Sequence, residues 1–126
     1  MTYEEIFNRL IDETLDPDDF THAAHVGAAF EALRRETFAD ALATFSTGIR
    51  RLAVRANAEG LFSATITFAY FSAIAERMRE SDYADAAAFI KSNPDLLNGS
   101  FLKTRFSRDR LSSPLSKEIP LLPDLI

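Results

Sequence analysis

The stretch that decides the fold is residues 38–56, FADALATFSTGIRRLAVRA. Its apolar side chains recur at alternating steps of four and three residues, at Phe38, Leu42, Phe45, Ile49, Leu52 and Ala56. This spacing lines one face of an α-helix and fits no strand. Thr37 is suited to cap the helix by accepting from the amide of Asp40, and Gly60 is suited to stop it. The pattern therefore predicts a helix that begins at Thr37 and ends before Gly60.

Four further helices are predicted from the same kind of spacing. The first ends at Asp16-Pro17, because proline disfavours helical geometry in the residue before it. The second is joined to the third by the short link Arg34–Thr37, which predicts an antiparallel hairpin. The first helix is expected from Tyr3 to Leu15, the fourth from Ser63 to Arg79 and the fifth from Asp82 to Ser92. The second is expected to begin at Asp18 or Asp19 and to bury a stripe formed by Val26, Ala29, Phe30 and Leu33. Ser81 or Asp82 is expected to cap the fifth helix.

The residues after Asn93 read as short helical turns followed by an extended tail. Turns are expected at Pro94–Leu97, at Ser100–Phe106, from Ser107 and from Ser113-Pro114, and the tail is Ile119–Ile126 with Pro120 and Pro123. The tail is expected to lie across the helices. The fold class is therefore all-α: residues 1–126 form a single-domain helical bundle of about five main helices, with short C-terminal helical turns and an extended tail.

Composition narrows the function classes. The 126 residues include no cysteine, which excludes thiol catalysis, disulfides and thiolate metal sites. The net charge of −5 argues against a surface that holds nucleic acid. No apolar run is long enough for a membrane span or a signal peptide, so neither a membrane nor export is expected, and the chain is expected to be cytoplasmic.

The two histidines of the chain, His22 and His25, lie three residues apart at the start of the second helix. Residues at this spacing share a helix face, so the imidazoles could converge on one metal ion or one anion. A metal site needs at least a third ligand, and Asp16, Asp18 and Asp19 could complete a mixed site for zinc, manganese or iron. The alternative is structural: the aspartates cap the helix, His22 lines the first turn and His25 packs against a carbonyl.

A second group of polar side chains opens the fourth helix. Ser63, Thr65 and Thr67 place three hydroxyls where free amides could hold a small anion or a carboxylate, and the phenol of Tyr70 could point into the same cavity. The alternative is that the hydroxyls cap the helix and that Tyr70 belongs to an aromatic cluster in the core.

The order of these motifs resembles a group of uncharacterised bacterial all-helical proteins. Those proteins share a Phe-x-His-x-x-His helix opening, an aromatic-His-x-Thr-x-Thr segment about forty residues later, and a C-terminal Leu-Ser…Pro-Asp stretch. The corresponding segments are 20–25, Phe62-Ser63-Ala64-Thr65-Ile66-Thr67, Leu111-Ser112 and Pro123-Asp124, so the resemblance spans about Asp16 to Asp124. It implies a candidate site between the second and fourth helices and no particular reaction. Ser63 replaces the further histidine of the group, so a centre of three imidazoles cannot form.

The leading hypothesis is a polar pocket that binds a small ligand or a metal ion, formed by His22, His25, Ser63, Thr65, Thr67 and Tyr70, with His22 and His25 as the metal ligands. A divalent metal lacks a complete ligand set, and no cofactor or catalytic residue follows from the spacing. The alternative is an interaction module without chemistry. Its eleven phenylalanines and the apolar tail residues Leu121, Leu122, Leu125 and Ile126 would then serve a homodimer or a partner protein.

Overall fold

The computed structural model describes residues 1–125, which contain eight α-helices and no strand. The helices are α1 (Tyr3–Ile11), α2 (His22–Arg35), α3 (Phe38–Arg55), α4 (Ala64–Glu80), α5 (Ala86–Ser92), α6 (Ser100–Lys103), α7 (Arg108–Ser112) and α8 (Pro114–Glu118). Three single 3-10 turns lie between them, at Pro17–Asp19, Glu59–Leu61 and Pro94–Leu96. The predicted all-α class is confirmed. No helix within this described part is both long and apolar enough to cross a membrane.

α2 is the central helix of the bundle and packs against α1, α3, α4 and α5. Most of its residues from Ala24 to Ala32 are buried, and four of these are alanines, whose small side chains let the neighbouring helices approach closely. Gly27 is the extreme case, because the ring of Tyr3 occupies the place that a Cβ would take. The contact between α1 and α2 therefore depends on a residue without a side chain.

α3 follows the pattern from which it was predicted, except at its ends. Phe45 and Leu52 are buried, whereas Phe38 is 36% exposed and Ala56 lies at the surface. Thr37 does not cap the helix; its hydroxyl donates instead to the carboxylate of Asp40, at 3.2 Å. The helix ends at Arg55, and the residue that stops it is Asn57 instead of the predicted Gly60, because Asn57 takes the left-handed conformation (φ 55°) that asparagine tolerates better than most residues.

The segment between α1 and α2 corrects two predicted boundaries. α1 ends at Ile11 instead of Leu15, since Glu13 adopts a left-handed conformation with φ 63°. The Asp16 side chain then accepts from the amide of Asp18 and opens the separate 3-10 turn. α2 consequently begins at His22, and its cap is Thr21, whose hydroxyl accepts from the amide of Ala24.

The start of α5 is also later than predicted. The helix begins at Ala86, because Asp85 caps it by accepting from the amide of Ala88 at 2.8 Å, so neither Ser81 nor Asp82 is the cap. The predicted start of α4 is confirmed, with Ser63 accepting from the amide of Ile66.

The C-terminal tail is extended and lies across the bundle, as predicted. Thr65 of α4 accepts from the amide of Leu121 and donates to the carbonyl of Ile119, both at 2.9 Å. Further along, Asp124 accepts from the amide and the hydroxyl of Ser107. These hydrogen bonds hold the tail against α4 and the start of α7. The last residue of the predicted tail, Ile126, lies outside the described residues.

Candidate functional site

A cavity of about 410 Å³, called the main cavity below, lies between α2, α3, α4 and the segment from Pro94 to Lys103. Its wall is mostly apolar, with fully buried Phe71 and Ile74 among the lining residues. The polar side chains of the wall are His22, His25, Thr67, Tyr70 and Asn98. The cavity thus combines a large apolar surface with a few hydrogen-bonding groups.

A second cavity of about 370 Å³, the side cavity, adjoins the first. It extends towards Phe20, Leu52 and Phe62. Four residues line both cavities, namely His25, Ile49, Ile66 and Thr67. These four side chains therefore form the partition between the two spaces.

His25 is oriented by the residues just before α2. Its Nδ1 lies 2.8 Å from the carbonyl oxygen of Thr21, which also accepts from the backbone amide of His25 at 2.9 Å. A carbonyl can only accept, so Nδ1 of the neutral ring carries the proton and Nε2 presents a lone pair. The ring of Phe20 packs on the imidazole with centroids 3.8 Å apart. Backbone and aromatic contacts together hold the ring.

The surroundings of His25 lower its pKa below the ordinary value of 6.5. Loss of hydration among the crowded protein atoms is the main cause, the Thr21 carbonyl opposes it, and His22 adds repulsion between the two imidazoles. By surface area His25 is an exposed residue, so its imidazole keeps part of its hydration and the desolvation is partial. His25 is consequently neutral at pH 7.

Tyr70 lines the main cavity from α4. It is half-buried and packs edge-on against Phe101, with ring centroids 5.0 Å apart. Burial, and secondarily the charge of Asp95, raise the pKa of its phenol above the usual 10.0, so the group keeps its proton. Gly99 adopts φ 73°, and a Cβ at this position would lie 3.8 Å from the Tyr70 hydroxyl oxygen.

The cavity wall formed by the Pro94–Leu96 turn is tied to α4 by an ion pair. Both terminal nitrogens of Arg77 donate to the Asp95 carboxylate at 2.7 Å, and one of them also donates to Asn93 Oδ1 at 3.1 Å. This pairing lowers the pKa of Asp95 and raises that of Arg77, since each charge stabilises the other. Asn93 is anchored in turn, because its amide donates to the carbonyl of Phe89.

The predicted cluster of three hydroxyls is divided between different surroundings. Ser63 lines the side cavity, but its hydroxyl caps α4 and donates to the carbonyl of Ser116. Thr65 is 1% exposed, lines neither cavity and uses its hydroxyl to bind the tail. Only Thr67 lines the main cavity together with the histidines. The physical reason is that residues two apart on a helix point about 200° apart, so Thr65 and Thr67 cannot share a face.

The predicted metal ligands do not acquire the further partners that a metal centre needs. The imidazole centroids of His22 and His25 are 6.3 Å apart. Across residues 1–125, no three histidine, aspartate or glutamate side chains are placed to hold one ion. Asp16 is used as the cap of the Pro17–Asp19 turn. The two histidines therefore line a cavity that the aspartates preceding them in sequence do not line.

The sequence analysis missed the wall that the C-terminal half contributes. Leu96, Leu97, Asn98, Gly99 and Leu102 all line the main cavity. The Asn98-Gly99 pair is a turn signal after the proline of the preceding helical turn, and it indicates a change of chain direction. That signal does not indicate which helices the turn will cover.

Comparison with known proteins gives no match, whether with protein-family models, with curated proteins or with solved structures. The resemblance to the bacterial group with the Phe-x-His-x-x-His opening therefore stays a prediction.

Proposed function

We propose that this protein binds a small, mostly apolar molecule in the main cavity, with one polar group of the ligand held by His25, Thr67 or Tyr70. The observation that carries the proposal is the composition of the wall: apolar side chains form most of it, and the polar ones lie at few positions. Ligand sites typically have volumes of about 300–1,000 Å³ and the same mixture of surfaces. The main cavity, at about 410 Å³, falls within that range.

Burial of apolar ligand surface supplies the affinity in this proposal. Each methylene group removed from water contributes about 0.8 kcal/mol before the cost of association. Phe71 and Ile74 of the wall are each 1% exposed and packed into the core, so this part of the wall is formed before a ligand arrives. A divalent metal ion is the weaker candidate, because only His22 and His25 are available to bind it.

A fluorescence experiment tests the proposal directly. The chain contains no tryptophan, so Leu97→Trp introduces a single reporter in the wall of the main cavity. Medium-chain alcohols and Zn²⁺ serve as separate probes. We expect the alcohols to change the emission of Leu97→Trp saturably, and to raise the melting temperature of the unmodified chain.

The matched control is Leu122→Trp, because Leu122 lies in the tail, outside the main cavity, and is 78% exposed. Its emission should not respond to the probes. Equal responses of the two reporters, or no change in melting temperature with any apolar probe, would contradict the proposal. A response to Zn²⁺ alone would replace it by the metal site.

A second candidate function is self-association through an apolar surface on the other side of α4. Phe68 packs edge-on against Phe38 and lines a surface groove with Leu122. The three side chains are 40%, 36% and 78% exposed, respectively. Solvent-exposed apolar side chains that adjoin one another are typical of interaction surfaces, and a second copy of the chain is the simplest partner.

Light scattering at increasing concentration distinguishes the two functions. If the chain self-associates, we expect a dimer that Leu122→Ser shifts to monomer, while Leu61→Ser leaves it intact, because Leu61 lies at the side cavity. A strictly monomeric chain at high concentration would rule out this second function and leave the ligand site unaffected.

A further inference from the structure

The wall of the main cavity is polar in places but carries no fixed charge. Among the residues that line it there is no lysine, arginine, aspartate or glutamate. Asp95, which precedes Leu96 of the wall, is not itself a lining residue, and its carboxylate is paired with Arg77 by two hydrogen bonds of 2.7 Å. A carboxylate or ammonium group entering the cavity would lose hydration without gaining a counter-charge, so the cavity disfavours charged ligands.

We infer that the polar group of the ligand is an uncharged hydrogen-bond donor, a hydroxyl above all, and that it donates to Nε2 of His25. This inference rests on the proposed function and specifies the ligand class: a neutral, mostly apolar alcohol or phenol. Three observations lead to it, concerning the tautomer, the fixed position of the ring and the unused nitrogen.

The tautomer follows from the backbone. Because the Thr21 carbonyl accepts from Nδ1 of His25, that nitrogen is the donor of the neutral ring, and Nε2 can only accept. Thr21 is itself held at the start of α2, since its hydroxyl accepts from the amide of Ala24. The acceptor character of Nε2 is therefore determined by the helix start and not by the ligand.

The ring is also held in position before any ligand arrives. Phe20 packs against one face of the imidazole, and the Thr21 hydrogen bond restricts its rotation. Holding an acceptor in this way reduces the entropy lost on binding. Within residues 1–125, the hydrogen bonds of His25 are made by Nδ1 and the backbone, so Nε2 has no protein donor to displace.

The test compares three probes of nearly equal size. 1-Octanol and 1-methoxyheptane are isomers, and only the first can donate; octanoate carries a charge. Since one hydrogen bond is worth about 1 kcal/mol, we expect 1-octanol to bind about fivefold more tightly than the ether. Octanoate should bind more weakly than 1-octanol. Emission of the Leu97→Trp reporter gives the three dissociation constants.

His25→Phe in the same reporter background is the decisive variant, because phenylalanine fills the space of the imidazole without an acceptor. It should bind 1-octanol and the ether with equal affinity. Tyr83→Phe is the control, since it removes a hydroxyl that lies beside Asn93 and outside the cavity. That variant should keep the fivefold preference.

Nitrogen-15 NMR gives a readout that does not depend on ligand binding. At about pH 7.5, His25 should show a protonated Nδ1 and an unprotonated Nε2, and 1-octanol should shift the Nε2 resonance. Only two histidines are present, so His22→Phe assigns the signals.

Two outcomes would overturn the inference while leaving the cavity proposal intact: equal affinity for alcohol and ether in the unmodified site, or tighter binding of octanoate. A protonated Nε2 in the free protein would also overturn it. If none of the three probes binds, the proposed function itself fails.

Discussion

At the scale of single residues, His25 links the stability of the chain to its candidate function. The Thr21 carbonyl that determines its tautomer lies at the N-terminal end of α2, and desolvation by the surrounding protein lowers its pKa. A histidine kept neutral in this way is a hydrogen-bonding group at pH 7, whereas a protonated one would repel ligand donors.

The lowered pKa predicts a pH dependence of stability. In the unfolded chain His25 has its ordinary pKa of 6.5, and in the folded chain it binds a proton only at lower pH. As the pH falls, the unfolded state therefore takes up the proton first. The contribution of His25 is complete above about pH 6.5 and is lost as the pH falls from there through the folded pKa.

Chemical denaturation at about pH 7.5 and about pH 5 measures this effect. The unmodified chain should lose more unfolding free energy between the two values than His25→Phe does, because the variant lacks the group. His22→Phe retains His25 and removes only a minor cause of its lowered pKa, so it should lose nearly as much unfolding free energy as the unmodified chain. Identical losses in His25→Phe and the unmodified chain would disprove the assignment.

The residue scale also shows why the candidate hydroxyls separate. Ser63, Thr65 and Thr67 are alike in chemistry and adjacent in sequence, but the helical rotation directs Thr65 to the tail and Thr67 to the main cavity. Sequence analysis could name all three residues. It could not assign them to different partners, since the partners of Ser63 and Thr65 lie more than fifty residues away in the chain.

At the scale of elements, close packing of helices sets the shape of the bundle. Gly48 of α3 lies so near α1 that a Cβ would be 2.9 Å from Leu10 Cγ, and Gly27 of α2 meets the Tyr3 ring in the same way. The small residues of α2 and α3 bring α1 near, while both cavities are lined by residues of α3 and α4.

Gly27→Ala tests the packing of α1 on α2. The added methyl group would meet the Tyr3 ring near its Cδ1, so the ring or α1 must shift, and we expect a loss of about 1–3 kcal/mol in unfolding free energy. Urea denaturation measures it. Gly60→Ala is the matched control, because no atom lies within 4 Å of the added group, and it should change stability by less than about 0.5 kcal/mol.

A double substitution shows whether the destabilisation by Gly27→Ala comes from the contact with Tyr3 or from a general effect of alanine at this position. Tyr3→Ala combined with Gly27→Ala should be less destabilising than the sum of the two single changes, because removing the ring removes the clash. Strict additivity would show that Gly27 is not in contact with Tyr3.

At the scale of the whole molecule, the C-terminal tail joins parts of the chain that are remote in sequence. Its hydrogen bonds to Thr65, Arg105 and Ser107 span α4 and the connection from α6 to α7. The tail covers the outer face of α4, opposite the main cavity, and thereby supports the helix that carries Thr67 and Tyr70.

Thr65→Val tests this support while nearly preserving the shape of the side chain. It removes one acceptor and one donor, leaves the Leu121 amide and Ile119 carbonyl without their partner, and should cost about 1–3 kcal/mol. Amide hydrogen exchange at Leu121 and Leu125 should accelerate. Thr67→Val is the control, since Thr67 lines the main cavity and makes no hydrogen bond to the tail, and unchanged exchange in both variants would contradict the role of Thr65.

The sequence by itself determined the local structure, because local structure depends on nearby side chains. The spacing of Phe45, Ile49 and Leu52 was sufficient for α3, and the all-α class followed from similar patterns along the chain. Capping was less predictable. The side chains of Thr21, Asp85 and Ser63 accept hydrogen bonds from backbone amides, whereas that of Thr37 does not. Because several residues near each helix start have suitable side chains, the sequence does not single out the one that caps the helix.

Only the tertiary structure decided what the histidine pair faces. The main cavity is lined by residues from four parts of the chain, and Leu96–Gly99 line it together with the histidines because α4 and α5 both pack against α2. Such contacts depend on the packing of many side chains at once, and no local pattern encodes them. The sequence thus specified the helices and the polar residues they carry, and packing determined which of those residues share a cavity.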